Sequence, residues 1–126
     1  MVAINFMRHF EPLILSGTKV HTLRDKPRAD VGDTLQLYTG QRTKKCRLIK
    51  QVTCTVVVPV EYWAGGTSWC VDNRHFPANS LDQLAVGDGF SDFKEMLHWF
   101  MFNKGPQWSG YLIAWGSAPY LPTTKE

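Results

Sequence analysis

One long alternating segment constrains the fold of this chain most. In residues 51–62, apolar side chains recur at every second position, at Val52, Cys54, Val56, Val58 and Val60. A period of two places such side chains on one face of a β-strand. Pro59, on the other face, has no N–H to donate to a neighbouring strand and therefore marks an edge or a bulge. We predict a single long strand in a strongly curved sheet.

Two helices are predicted on either side of this strand. The first covers residues 11–16, because Pro12 suits the first turn, Phe10, Leu13 and Ile14 share one face, and Gly17 suits the end. The second follows residues 87–89, with Ser91 as its N-cap. It has an apolar stripe formed by Phe90, Phe93, Met96, Leu97 and Phe100.

The remaining patterns predict further strands. Residues 20–24, 34–39 and 108–115 are typical of strands, and residues 63–80 contain turn residues suited to a hairpin. Together with the helices, these elements predict an α+β fold with two main helices and a curved, barrel-like sheet.

Length and apolar content indicate one domain. A chain of 126 residues with 44% apolar side chains can bury a substantial core, so we expect residues 1–126 to form a single domain, with its core in about 4–116 and a tail at 117–126. No apolar run approaches the roughly 20 residues of a membrane span, and the first residues do not resemble a signal peptide. We expect a soluble, cytoplasmic protein without a membrane partner.

Cysteine and histidine spacing does not suggest a metal or a cofactor. Cys46, Cys54 and Cys70 form no C-x-x-C pair, and the four histidines are scattered. We expect structural thiols, no metal and no cofactor.

Positive charge is concentrated in the first part of the chain. Residues 1–50 hold ten Lys and Arg against four Asp and Glu, whereas residues 51–126 hold four against seven. The densest run, residues 42–50, has five cations and no acid, and it follows Tyr38 closely. This segment suits RNA or a phosphorylated ligand. It is equally typical of a solvated surface that keeps a protein in solution.

The segment 17–24 contains groups suited to amide hydrolysis. Lys19 can accept and return a proton, Thr22 can attack or position a water, and Arg24 can stabilise negative charge. Strand alternation puts Thr22 and Arg24 on one face, so Lys19 must reach them from the turn before the strand. A lysine base at neutral pH needs its pKa lowered from about 10.4 to about 7 by burial and cationic neighbours. The alternative is a glycine-capped turn with a surface lysine and an arginine paired with Asp25 or Asp33.

The order of these motifs resembles a known family. The G-x-K-x-x-T-x-R signature of residues 17–24, Gly32-Asp33-x-Leu35, Asp88-Gly89-Phe90 before a helix and Trp115 in the last strand resemble the ASCH domain of the PUA-like superfamily. The resemblance covers about residues 4–116. It implies a pseudo-barrel with a cleft beside the first helix, used for RNA or modified nucleosides.

Some small ASCH proteins are amidohydrolases that remove the acetyl group of N4-acetylcytidine with a lysine, a threonine and an acid. The resemblance assigns these roles to Lys19, Thr22 and, by position, Asp88, with Glu61 as the second choice for the acid. For substrate binding we predict Arg24, Tyr38, Arg42 and Lys44. Among the aromatic residues, Trp63, Trp69 or Tyr38 is a candidate for stacking on a pyrimidine, and Trp99 and Trp115 are expected in the core.

The sequence therefore suggests two alternative functions. The first is an amidohydrolase acting on N4-acetylcytidine or a related acylated nucleoside. The second is a PUA-like RNA-binding module, with or without ribonuclease activity, that uses residues 42–50. The partner is a modified nucleoside or RNA in either case, and the sequence leaves the oligomeric state open.

Overall fold

The computed structural model describes residues 1–116 as a mixed α+β fold, which confirms the predicted class. Eight strands and three α-helices follow one another in this order: β1 (Val2–Phe6), α1 (Glu11–Ser16), β2 (His21–Arg24), β3 (Thr34–Thr39), β4 (Arg47–Thr53), β5 (Val56–Trp63), β6 (Ser68–Val71), β7 (Arg74–Phe76), α2 (Asp82–Gly87), α3 (Phe93–Lys104) and β8 (Trp108–Ala114). The predicted tail, residues 117–126, lies outside the described residues.

The strands form two sheets. One has the order β1-β3-β4, with β1 and β3 parallel, and the other has the order β2-β8-β5-β6-β7, with antiparallel pairs throughout. Within residues 1–116 the sheets do not close into a barrel. The sequence predicts one barrel-like sheet, whereas the described strands form two separate sheets.

The single long strand predicted over residues 51–62 is wrong. The chain leaves the first sheet where the Cys54 N–H donates to the Asp33 carbonyl, and it enters the second where the Thr55 N–H donates to the Ala114 carbonyl. Val52 and Cys54 accordingly pack in a different core from Val56, Val58 and Val60 of β5. The alternation continues through this crossing, so periodicity alone cannot reveal it.

Two apolar cores lie on either side of β8. Ile113 packs in the core around β1, α1 and β3, whereas Leu112 and Ala114 pack in the larger core with β5, β6 and the last two helices. Because successive residues of a strand face opposite ways, β8 contributes to both cores at once. This strand joins the two halves of the fold.

The helices differ from the prediction in number and in one cap. Helix α1 has the predicted bounds and ends at Gly17, whose φ of 86° is left-handed. The six-residue helix α2 was not predicted, because so short a segment shows little periodicity. Helix α3 is capped by Asp92, which accepts a hydrogen bond from the Glu95 N–H, and not by Ser91, whose hydroxyl contacts the Glu95 carboxylate.

The hairpin predicted within residues 63–80 is present as β6 and β7. Its turn residues Asp72 and Asn73 have φ values of 56° and 64°, a conformation that Asp and Asn tolerate well. None of the helices in residues 1–116 is long and apolar enough to cross a membrane.

Candidate active site

A cavity of about 600 Å³ contains the three predicted catalytic residues and Arg24. Lys19, Thr22, Arg24 and Asp88 all line it. Its walls come from the end of β1 and the turn before α1, from the turn of Lys19, from β2 and the residues after it, from the segment between α2 and α3, and from α3. Aromatic side chains form much of the remaining surface: Phe6, Phe10, Phe90, Trp99 and Phe100.

Local backbone contacts place Lys19 in the turn between α1 and β2. Its N–H donates to the Leu13 carbonyl, and the next N–H, of Val20, donates to the carbonyl of Gly87 at the end of α2. The second bond joins this turn to the segment that carries Asp88. Lys19 therefore precedes the strand, which is the position that the alternation argument requires.

The ammonium of Lys19 is enclosed by polar and aromatic groups. The residue is 1% exposed. Its Nζ donates to the carbonyl oxygens of His21, at 2.8 Å, and of Asp88, and it lies 3.7 Å from Asp88 Oδ1. The rings of Phe10 and Phe6 have their centroids 4.5 and 5.4 Å from Nζ. The alternative of a surface lysine is thus wrong.

Burial lowers the pKa of Lys19 from 10.5 to about 8. The positive charge of Arg24 acts in the same direction, whereas Asp88 opposes it by attracting the ammonium. With a pKa of about 8, roughly a tenth of the amine is neutral at pH 7. Such a lysine can act as a base under ordinary conditions.

Arg24 holds the hydroxyl of Thr22. Its Nε donates to Thr22 Oγ1 at 3.0 Å, and its Nη2 donates to the Asn5 carbonyl at 2.8 Å. The guanidinium also lies 5.0 Å from the centroid of the Phe6 ring. The alternative pairing of Arg24 with Asp25 or Asp33 is not found, since Asp25 instead contacts Lys104 and Trp108.

Asp88 is the carboxylate that faces Lys19, and His21 supports it. Asp88 lies just after α2 with its side chain 8% exposed. His21 Nδ1 is 3.2 Å from Asp88 Oδ1, and burial lowers the pKa of His21 below 6.5. At neutral pH the imidazole is therefore neutral and can donate from Nδ1. Sequence analysis missed His21; its place between Lys19 and Thr22 in the motif was the available signal.

Four other predicted residues lie away from these groups. Tyr38, Arg42 and Lys44 do not line the cavity, although Tyr38 is in register with Asn5, which does. Glu61 is exposed on β5 and lines a separate depression with Cys70 and Ser109. The acid opposite Lys19 is thus Asp88, and Glu61 takes no part in this arrangement.

Three tryptophans lie in other environments than the sequence predicts. Trp69, a candidate for stacking, is fully buried in the larger core, and Trp63 is 39% exposed but does not line the cavity. Trp99, which was expected only in the core, lines the cavity. Helical periodicity places a residue on the inner face but does not distinguish a core from a cavity wall.

Residues 1–116 contain no group of three or more His, Cys, Asp or Glu side chains that could hold a metal ion. The three cysteines are free. Comparison of the chain with protein-family models, with curated proteins and with solved structures finds no match.

Proposed function

We propose that this protein is an amidohydrolase that removes the acyl group from N4-acetylcytidine or a related N-acylated nucleoside. The observation that carries the proposal is the buried Lys19, whose pKa is about 8, beside Asp88 in a cavity that Thr22 also lines. The sequence resemblance to small ASCH proteins supports the choice of substrate. A PUA-like fold, with its cleft beside α1, is part of the same proposal.

The reaction begins with proton transfer to Lys19. The neutral amine takes the proton of the Thr22 hydroxyl, and Thr22 Oγ1 attacks the acyl carbonyl carbon to form a tetrahedral intermediate. Arg24, which already donates to Thr22 Oγ1, stabilises the negative charge that develops. Asp88 and the His21 carbonyl hold the resulting Lys19 ammonium in place.

The second half of the reaction returns the proton. The bond between the acyl carbon and the exocyclic nitrogen breaks, and the Lys19 ammonium gives its proton to the leaving nitrogen, which becomes the amine of cytidine. Water then hydrolyses the acyl ester on Thr22, with Lys19 again as the base, and the free acid and the Thr22 hydroxyl are restored. In the other route, Thr22 positions a water that attacks directly, and the same protons move.

The walls of the cavity suit a pyrimidine. Phe6, Phe10, Phe90 and Trp99 offer flat apolar surfaces close to the polar groups. Aromatic side chains stack on bases with little dependence on base identity. An acylated cytosine bound among them brings its amide to Lys19 and Thr22.

Turnover of N4-acetylcytidine by the purified protein tests the proposal. We expect acetate and cytidine in equal amounts. Replacing Lys19 by Met, or Thr22 by Val, should lower kcat/KM by about 10²- to 10⁴-fold while circular dichroism stays that of the folded protein. Glu61→Gln is the matched control and should leave kcat/KM unchanged. Failure to release acetate, or full activity in Lys19→Met, would contradict the proposal.

RNA binding is the second candidate function. The observation that favours it is the exposure of Arg42, Lys44, Lys45 and Lys50, for which the described part of the chain supplies no carboxylate within 4.0 Å. Arg47, in the same run, is paired with Glu11. This surface lies outside the cavity, so it can serve RNA without taking part in hydrolysis.

A further inference from the structure

The mouth of the cavity carries more positive charge than the proposed hydrolysis needs. Besides Lys19 and Arg24, its lining includes Lys26, Arg28 and Lys104. The acidic lining residues are Asp25 and Asp88. The balance of charge around the cavity is therefore positive.

Both acidic side chains are already engaged within the protein. Asp25 accepts hydrogen bonds from Trp108 Nε1 at 2.7 Å and from Lys104 Nζ at 3.2 Å. Asp88 contacts Lys19 and His21. Neither carboxylate lies within 4.0 Å of Arg24, Lys26 or Arg28, and among these three residues and Lys104 only Lys104 has a carboxylate at that distance in residues 1–116.

Arg24, Lys26 and Arg28 have no carboxylate within 4.0 Å in the part of the chain that the structure describes. Arg24 is half-buried, and burial lowers its pKa; the negative charges of Asp88 and Asp25 oppose this effect, and the positive charge of Arg28 adds to it. Two guanidiniums that repel each other at the mouth of a cavity are stabilised by an anion between or beside them. A ligand bound in the cavity can supply that anion.

The order of these cations along the chain places them next to the segment that carries the proposed reacting groups. Lys19 precedes β2, Thr22 and Arg24 lie on it, and Lys26 and Arg28 follow it. Lys26 and Arg28 therefore follow Thr22 in the chain and line the same cavity as Lys19 and Thr22. In a nucleotide, the phosphate is attached to the ribose, at the opposite end of the molecule from the exocyclic amine of cytosine.

We propose that Lys26 and Arg28 bind the phosphate of a nucleotide, so that an N4-acylated cytidine nucleotide is a better substrate than the uncharged nucleoside. This inference rests on the proposed amidohydrolase function for the identity of the base. Phosphate next to the modified nucleoside can come from a free 5′-monophosphate or from a phosphodiester in an oligonucleotide. The chemistry recognised is the same in both.

Turnover of three substrates tests the proposal and distinguishes the two sources. They are N4-acetylcytidine, its 5′-monophosphate and a trinucleotide with N4-acetylcytidine in the middle. We expect kcat/KM to be at least about tenfold higher for a phosphorylated substrate than for the nucleoside, as for other phosphate contacts from Lys and Arg. A gain with the monophosphate identifies a free nucleotide, and a gain confined to the trinucleotide identifies a strand.

The double variant Lys26→Gln/Arg28→Gln should lose this gain and keep the turnover of the nucleoside. Lys94→Gln, which removes an exposed cation on α3 that does not line the cavity, should keep the gain. Equal kcat/KM for all three substrates in the unmodified protein would overturn the phosphate site. So would a gain that survives in the double variant.

Binding without turnover separates this proposal from the proposed function. By calorimetry, cytidine 5′-monophosphate should bind at least about tenfold more tightly than cytidine at low salt, and the difference should shrink as salt rises. The double variant should bind both equally. If acetate is never released but this difference is found, hydrolysis is wrong and the phosphate site stands; equal affinity for the two ligands overturns the site.

Discussion

At the scale of single residues, the environment of Lys19 determines what this side chain can do. Enclosure among Phe6, Phe10 and the segment around Asp88 removes water from the ammonium and lowers its pKa. Asp88 prevents the pKa from falling further. The pKa of about 8 is thus the result of two opposed effects, and each can be altered by one substitution.

The pH dependence of turnover should follow Lys19. Because the neutral amine is the base, kcat/KM should rise about tenfold per pH unit below pH 8 and level off above it. Asp88→Asn removes the charge that raises the pKa, so the rising limb should move to lower pH. Arg24→Met removes a charge that lowers it, so the limb should move to higher pH.

The midpoint of the kcat/KM profile is the measurement, whatever the absolute rates of the variants. Lys94→Met serves as a control for loss of a distant positive charge and should leave the midpoint in place. Shifts of the same sign in Asp88→Asn and Arg24→Met would show that a group other than Lys19 is titrating.

At the scale of elements, two turns create the site. One is the left-handed end of α1 at Gly17, which starts the turn that carries Lys19; the other is the junction of α2 and α3, which carries Asp88 and Gly89. The hydrogen bond from Val20 to Gly87 joins them. Gly17 and Gly89 both have positive φ, at 86° and 103°, but their surroundings differ.

Comparing Gly17→Ala with Gly89→Ala should distinguish the effect of backbone strain from the effect of displacing Lys19. At Gly17 a Cβ has no atom within 4 Å, so Gly17→Ala should cost only the left-handed strain, about 1 kcal/mol of unfolding free energy. At Gly89 a Cβ would lie 2.6 Å from Phe10 Cε1 and 3.1 Å from Lys19 Cδ. Gly89→Ala should therefore cost more and also lower turnover.

Urea denaturation gives the stability of the two glycine variants, and kcat/KM gives the effect on the site. Gly17→Ala is expected to keep its activity at a temperature where it is fully folded. Equal losses of activity in the two variants would mean that the space beside Gly89 is not what positions Lys19.

At the scale of the whole molecule, positive charge occurs in two separate places. The cations at the cavity mouth belong to residues 24–28 and Lys104, whereas the exposed run of residues 42–50 belongs to the turn before β4 and to β4 itself. The structure therefore divides the charge of residues 1–50, which the sequence presents as one basic half.

Neutralising the exposed run should distinguish RNA binding from hydrolysis. The triple variant Arg42→Ala/Lys44→Ala/Lys45→Ala should keep kcat/KM for N4-acetylcytidine within about twofold, because none of these residues lines the cavity. If the run binds RNA, the same variant should lose RNA affinity and reduce the salt dependence of binding by about three phosphate contacts. Unchanged RNA affinity would assign the run to the solvated surface.

Local sequence patterns were enough to predict several helices and strands and the local placement of Lys19, Thr22 and Arg24. Gly17 and Pro12 determine the bounds of α1, and the alternation of Leu35 and Leu37 identifies β3, because capping and strand period depend on neighbours in sequence. The same reasoning placed Lys19 in the turn and Thr22 on the same face as Arg24. These features follow from backbone geometry over a few residues.

Only the tertiary structure decided which distant groups meet. The change of sheet at Cys54, the approach of Asp88 to Lys19 and His21, and the position of Glu61 in another depression all depend on contacts between residues far apart in the chain. Burial, which lowers the pKa of Lys19, is likewise a property of the packed molecule. The sequence determined the reactive groups and their local geometry, and packing determined their partners and their charge.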